Sequence, residues 1–268
     1  MFKKLIRFMH SVVWWADYCT IFLLGIFFDA VVWRGNREMY RKVERFWAWS
    51  LMKVGGIKLE ISGGENLPKN ETVVYMANHQ SNLDWPIIFR TIPGQYLFLA
   101  KQELFDLPIF GTYMRLQGYI PIERTRIKKS FKTYQTIIYL IKIGNSIVIY
   151  PEGTRSRSEE LQGFKTFSFS FLQEARVRVV PIAIDGSVNI QKKGSKLINP
   201  GRVKVEILPP VDFSDIYHLD NKEFAITASS RVRSALSNVL NGKLSAGENG
   251  SADPGVGLCA IPAAAARR

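Results

Sequence analysis

Cysteine, histidine and acidic side chains are all scarce in this chain. Its 268 residues hold two cysteines, Cys19 and Cys259, near opposite ends, and three histidines. Two thiols so far apart exclude a disulfide scaffold and a structural zinc site. Three histidines speak against a multi-histidine metal centre, so neither a metal nor a bound cofactor is expected. No Walker loop, G-x-G-x-x-G turn or G-x-S-x-G elbow occurs, and there is no internal repeat. Acidic residues number 23 against 36 basic ones, a formal charge of +13. Such a surplus calls for an anionic partner: nucleic acid, an anionic membrane face or a phosphorylated substrate. What is plentiful is apolar. Hydrophobic residues make up 47% and aromatics 12%, enough for a sizeable core and incompatible with wholesale disorder. The length suits one large domain, or a domain with an appendage.

Residues 12–33 form an apolar run interrupted only by Asp17 and Asp29. About 20 apolar residues can cross a bilayer as a helix, but a carboxylate in lipid costs a few kcal/mol on insertion scales. Basic residues flank both ends: Lys3, Lys4 and Arg7 before, and Arg34, Arg37, Arg41, Lys42 and Arg45 after. The next stretch, 36–56, sets Tyr40, Val43, Trp47, Leu51 and Val54 at helical spacing among basic residues, the pattern of an amphipathic interfacial helix. Five of the six tryptophans (14, 15, 33, 47 and 49) fall before residue 50, and indole rings favour the headgroup level. The expectation is a helix pair dipping into or lying on the membrane, ahead of a single span. The alternative is a buried helix of a soluble core. No small-residue cleavage site follows the run, which argues against a signal peptide. Residues 243–268 have turn formers and alanines without amphipathic period. They are read as a flexible tail, native or left by an expression vector, with no part in function.

Between these ends, short apolar runs recur at 57–62, 72–77, 96–100, 118–122, 146–150, 179–184 and 203–208. Several are apolar throughout, as strands buried on both faces are, while 203–208 alternates. Helical segments are expected at 128–142 (with Phe131, Tyr134, Ile138 and Ile141 on one face), 164–175 and 222–240. This alternation predicts an α/β fold with a mixed, largely parallel sheet flanked by helices, preceded by the membrane-associated helix pair. The expected division is 1–56 for the helices, 57–242 for the α/β domain and 243–268 for the tail.

In such sheets chemistry gathers in loops beyond the carboxyl ends of strands, and three polar clusters fall there. Asn78-His79-Gln80-Ser81-Asn82-Leu83-Asp84 follows the second run. An aspartate five residues after a histidine can fold back onto one ring nitrogen and leave the other basic, which is the base-and-orienter half of a catalytic triad. With no serine elbow, the attacking hydroxyl would have to come from a substrate. Tyr150-Pro151-Glu152-Gly153-Thr154-Arg155-Ser156 follows the fifth run. Gly153 admits close backbone approach, and the Arg155 fork suits phosphate. Lys101-Gln102-Glu103-Leu104 follows the third run, and Gly118 to Arg124 contains the fourth, so Lys101 and Arg124 each stand at a strand exit. Taken singly, each cluster also reads as a capped structural histidine, a polar turn or a surface charge.

Together, in this order, NHQSNLD, KQEL with GYIPIER, YPEGTRS and VVPIAI resemble the four motif blocks of the PlsC-type glycerolipid acyltransferases, the 1-acyl-sn-glycerol-3-phosphate acyltransferase family, over roughly residues 57–210. Tyr150 stands where phenylalanine is commoner. The resemblance implies acyl transfer from a thioester donor, acyl-CoA or acyl-ACP, to the free hydroxyl of lysophosphatidic acid, giving phosphatidic acid. It implies His79 as general base and Asp84 as its orienter. Arg124, Glu152, Gly153, Thr154 and Arg155 match blocks that bind glycerol phosphate, with Lys101 a further phosphate contact. Pro181, in the fourth block, looks structural or acyl-binding. The expected partners are lysophosphatidic acid, the acyl donor and an anionic membrane surface, at the cytoplasmic face of the cell membrane. No nucleic-acid module is recognisable. The same chemistry on glycerol 3-phosphate, another lysophospholipid or an ornithine lipid is the nearest alternative, and a non-catalytic basic membrane-binding protein is the alternative of another class.

Overall fold

The computed structural model describes residues 2–28, 31–32, 36–122 and 127–242, with side chains except at 2 and 127–130. Asp29, Trp33, Arg34, Arg124 and the tail 243–268 lie outside the described residues.

Seven strands form one sheet in the order β1-β7-β6-β2-β5-β3-β4. They are β1 (Ile57–Ser62), β2 (Val74–Ala77), β3 (Tyr96–Lys101), β4 (Ile120–Ile122), β5 (Ser146–Ile149), β6 (Val179–Asp185) and β7 (Gly201–Ile207). Every pairing is parallel except β6 with β7. The mixed, largely parallel sheet is therefore as expected. The uniformly apolar runs β2 and β5 are buried along their whole length, and β7 alternates between buried and half-exposed positions. Both patterns follow from whether one face or two are covered by helices.

Among the described residues ten α-helices surround the sheet: α1 (Phe2–Phe28), α2 (Arg37–Val54), α3 (Asp84–Thr91), α4 (Gln102–Phe105), α5 (Pro108–Leu116), α6 (Ile127–Lys142), α7 (Phe167–Ser170), α8 (Leu172–Ala175), α9 (Ser187–Ile190) and α10 (Asn221–Asn241). Asn36 caps α2 by accepting from Glu38 N and Met39 N, and Asp220 caps α10 in the same way. The helix expected over 164–175 is broken into α7 and α8. On α6 the buried face is Ile137, Ile138 and Ile141, while Phe131, expected on that face, is 65% exposed. The α3 and α5 helices carry little periodic signal in the sequence; α5 begins on Pro108, whose fixed φ suits a first helical turn.

The helix pair differs from its expected form. Trp47, Ala48 and Leu51 of α2 are buried in the domain core, as is Trp14 of α1. Trp14 Nε1 donates to Leu51 O at 3.0 Å, and Trp47 Nε1 to Tyr18 O at 3.1 Å. Arg41 and Glu44, both buried, pair at 2.5 Å and join Tyr113, Tyr119 and the Tyr96 carbonyl in one network. The apolar stripe of α2 thus faces protein rather than lipid, with Phe46 and Trp49 its exposed large apolar residues. Asp17 faces α2, accepting from Ser50 Oγ at 2.8 Å. Lipid-compatible surface belongs instead to α1, where Leu5, Phe8, Val12, Leu24 and Phe27 are exposed. Among the described residues this one helix, over Lys3–Phe28, is long and apolar enough to cross a membrane.

Candidate active site

β2 and β5 are adjacent at the centre of the sheet, and their chains leave in opposite directions. The chain from β2 goes on to β3 beyond β5, and the chain from β5 goes on to β6 beyond β2. A crevice opens outside strand ends at such a divergence. The loop after β2 carries His79 and the loop after β5 carries residues 150–156, so the fold brings the first two sequence clusters together. Ser156 N donates to His79 O at 2.7 Å, stitching one loop to the other. Asn78 anchors the same loop to β6, donating to Ile184 O and accepting from Ile184 N.

His79 Nδ1 lies 2.7 Å from Asp84 Oδ2. Asp84 is fully buried at the start of α3, and that oxygen also accepts from Gln80 N at 2.7 Å and Ser81 N at 2.9 Å. Its second oxygen accepts from Ser187 Oγ at 2.7 Å. A carboxylate taking two backbone N–H groups on one oxygen acts as acceptor, so the proton of this pair sits on His79 Nδ1. Nε2 is then the basic nitrogen. The imidazole stacks on the Tyr150 ring at 4.1 Å and 16°, and its side chain is 19% exposed. Tyr150 carries a buried hydroxyl without a hydrogen-bond partner among the described residues, and burial pushes its pKa well above the ordinary phenol value.

Glu152 is buried, not exposed to the crevice. Its Oε1 accepts from His79 N at 2.6 Å and its Oε2 from Gln162 N at 2.9 Å. Burial raises its pKa, with the two N–H groups opposing that shift. The expectation of Glu152 as a substrate contact is therefore corrected: it braces the histidine loop from beneath. Gly153, at φ 70°, turns the chain so that Thr154 and Arg155 reach the crevice.

The crevice is a cavity of about 670 Å³, within the range of sites for small organic ligands. His79, Lys101, Gly153, Thr154 and Arg155 all line it, so five of the eight sequence-derived site residues meet there. Lys165 and Lys193, which the sequence reading did not single out, line it as well. Among the described residues four cations thus face the cavity and no Asp or Glu does. Trp85, Leu99, Leu104 and Phe110 form an apolar wall, completed by Trp14 and Tyr18 of α1. Asn82 also lines the cavity. Within the loop 79–84 it is the residue whose backbone N–H has no acceptor among the described residues, the N–H groups of His79, Gln80, Ser81, Leu83 and Asp84 all being engaged. Among the described residues no group of three or more His, Cys, Asp or Glu could hold a metal ion.

A family model described as Acyltransferase matches residues 58–185. The chain is 33% identical over 197 residues to a chloroplastic 1-acyl-sn-glycerol-3-phosphate acyltransferase of Arabidopsis thaliana, covering 73% of this chain and 55% of that one. It is 32% identical over 161 residues to the 1-acyl-sn-glycerol-3-phosphate acyltransferase of Salmonella typhimurium, covering 60% and 65%. It spans about half the length of the first curated relatives it matches. Its fold is also that of the crystal structure of the 1-acyl-sn-glycerophosphate acyltransferase PlsC from Thermotoga maritima, with a TM-score of 0.73 and 23% identity over 91% of this chain and all of that one. The stretch that the Acyltransferase model matches holds both loops around His79.

Proposed function

We propose that the protein is a 1-acyl-sn-glycerol-3-phosphate O-acyltransferase, moving a fatty acyl chain from a thioester donor to the free hydroxyl of lysophosphatidic acid. One observation carries this reading: a His79–Asp84 pair opens onto a cavity that, among the described residues, has four cations, no carboxylate and an apolar wall. A base next to an anion site and an apolar surface suits an acceptor with a hydroxyl, a phosphate and a long chain.

In this mechanism His79 Nε2 takes the acceptor hydroxyl proton as the oxygen attacks the thioester carbonyl. The Asp84 carboxylate stabilises the imidazolium that forms. The tetrahedral oxyanion needs a donor, and the free N–H groups of Asn82 are the loop's available ones. Collapse breaks the carbon–sulfur bond, and the imidazolium returns its proton to the departing thiolate. No acyl-enzyme is required, since among the described residues no side-chain hydroxyl or thiol hydrogen-bonds to His79 Nε2. Lys101, Thr154 and Arg155 bind the glycerol phosphate, as Arg124 does on the family pattern. The outer face of α1 holds the protein on an anionic membrane, where the acceptor resides. The basic body assigns it to the cytoplasmic face. The donor is acyl-CoA or acyl-ACP, and no further cofactor takes part.

The test is thiol release from an acyl donor with lysophosphatidic acid or glycerol 3-phosphate as acceptor. We expect release that requires lysophosphatidic acid and falls about 10²- to 10⁴-fold in His79→Ala, the usual worth of a general base. Turnover indifferent to His79 would sink the mechanism, and preference for glycerol 3-phosphate would reassign the acceptor.

A further inference from the structure

Lys193 lies beyond the last motif block and outside the matched stretch 58–185. Its ammonium nevertheless donates to Thr154 Oγ1 at 3.0 Å and to the Arg155 carbonyl at 2.9 Å. Both acceptors are neutral, and among the described residues no carboxylate pairs with either Lys193 or Arg155. Both residues are half-buried and line the same cavity, so an anion seated there would meet two positive charges that carry no carboxylate partner among the described residues. An ammonium has three hydrogens; two are committed to protein, and the residue lines the cavity.

The segment around Lys193 is held in place from several sides. Gln191 O accepts from Ser81 Oγ of the histidine loop at 2.9 Å. Farther on, Lys196 O accepts from Trp15 Nε1 of α1 at 2.7 Å, and Ile198 N donates to Ser11 Oγ of α1 at 3.0 Å. Such bracing pre-positions the ammonium, which lowers the ordering cost of binding.

Resting on the acyltransferase reading above, we infer that Lys193 binds the phosphate monoester of the acceptor, directing its third N–H beside Arg155 to a phosphate oxygen. The acceptor rather than the donor is the source because of distance. The reacting hydroxyl of the acceptor is separated from its phosphate by two carbons and an ester oxygen, so a hydroxyl on His79 keeps that phosphate close. A donor thioester lies the whole pantetheine arm away from the nearest donor phosphate. Lys193 is attached to Arg155, whose neighbour Ser156 is bonded to His79 O, and so stands at the near position.

The experiment compares wild type, Lys193→Met and Lys193→Arg, using lysophosphatidic acid and a phosphate-free monoacylglycerol of the same chain length, with an acyl-CoA donor. For Lys193→Met we expect KM for lysophosphatidic acid to rise about 10- to 100-fold, as for one lost charge-assisted bond. The donor KM should hold, the preference for lysophosphatidic acid over monoacylglycerol should fall by the same factor, and Lys193→Arg should recover most of it. An unchanged KM, an equal loss with both acceptors, or a rise in donor KM instead would each overturn the inference. Calorimetric titration of the same two lipids into detergent-solubilised protein separates this from the reading it rests on. Lys193-dependent binding of lysophosphatidic acid without turnover would keep the site and sink the assigned reaction. His79-dependent turnover with binding indifferent to Lys193 would do the reverse.

Discussion

Replacing Asp84 by Asn tests the dyad more sharply than deleting it. The two carboxylate oxygens are unequal: among the described residues Oδ2 receives His79 Nδ1, Gln80 N and Ser81 N, while Oδ1 receives only Ser187 Oγ. In Asp84→Asn the amide oxygen therefore takes the Oδ2 position, where three donors converge. The new NH2 faces Ser187, whose hydroxyl can turn and accept. His79 keeps its proton on Nδ1, and Nε2 stays basic. What disappears is charge. A hydrogen bond to a charged group is worth about 1.5–3 kcal/mol and a neutral one about 0.5–1.5. The difference of about 1–2 kcal/mol, exerted on the imidazolium of the transition state, is roughly a 5- to 30-fold loss of kcat. Steady-state thiol release with lysophosphatidic acid, alongside a melting curve to confirm the fold, measures it. A loss as large as that of His79→Ala would refute this reasoning, because it would mean the tautomer had flipped despite the asymmetric donors. A loss under twofold would show that the carboxylate charge plays no part in turnover.

Further expectations concern the surface and the stacked tyrosine. Tyr150→Phe removes a buried hydroxyl that has no partner and keeps the ring on His79, so the protein should gain about 1 kcal/mol, read as a rise of about 2–4 °C in Tm, with turnover preserved; a lower Tm would show that the hydroxyl has a partner. Leu5, Phe8, Val12 and Phe27 are each about half exposed on α1, and each is worth about 1.5–3 kcal/mol on entering an apolar layer. Changing all four to Ser should release the protein from anionic vesicles in a sedimentation assay without altering its unfolding, and full co-sedimentation would contradict a lipid-facing α1. Deleting residues 1–50 strips Trp14, Trp47 and Ala48 from the core and should abolish cooperative unfolding in circular dichroism. Glu71, hydrogen-bonded by Arg178, has its pKa held below the usual carboxylate value. Its contribution is present above that value and lost as pH falls through the lowered one, so Glu71→Gln should flatten the acid side of a Tm-against-pH curve. The effect should stay under about 1 kcal/mol because the pair is exposed.

Much of the fold could be read locally. Runs such as 146–150 and 179–184 are apolar on both faces because a central parallel strand is covered on both sides, and β5 and β6 fall there. The His79 and Arg155 loops could be anticipated at strand exits for the same reason, and spacing alone set Asp84 within one turn of His79. Amphipathic period, in contrast, says that one face of a helix is covered and not by what. The stripe of α2 therefore read as lipid-facing, whereas Trp47 and Leu51 pack into protein, and Phe131 read as buried but is exposed, on a helix that buries Ile137, Ile138 and Ile141. Glu152 read as a ligand because it shares a motif block with Thr154 and Arg155; only the tertiary arrangement aims its oxygens at two backbone N–H groups.

The sequence by itself determined the family resemblance, the His79–Asp84 spacing and the strand-end loops, since each depends on residues close in the chain or on strand periodicity. Tertiary structure alone decided that Ser187 holds Asp84 from 103 positions away and that Lys193 joins Thr154 and Arg155. It also decided that α1 closes one side of the cavity. These are contacts between segments distant in the chain, and no local propensity encodes them. They exist because the packed sheet and its helices fix where each loop ends.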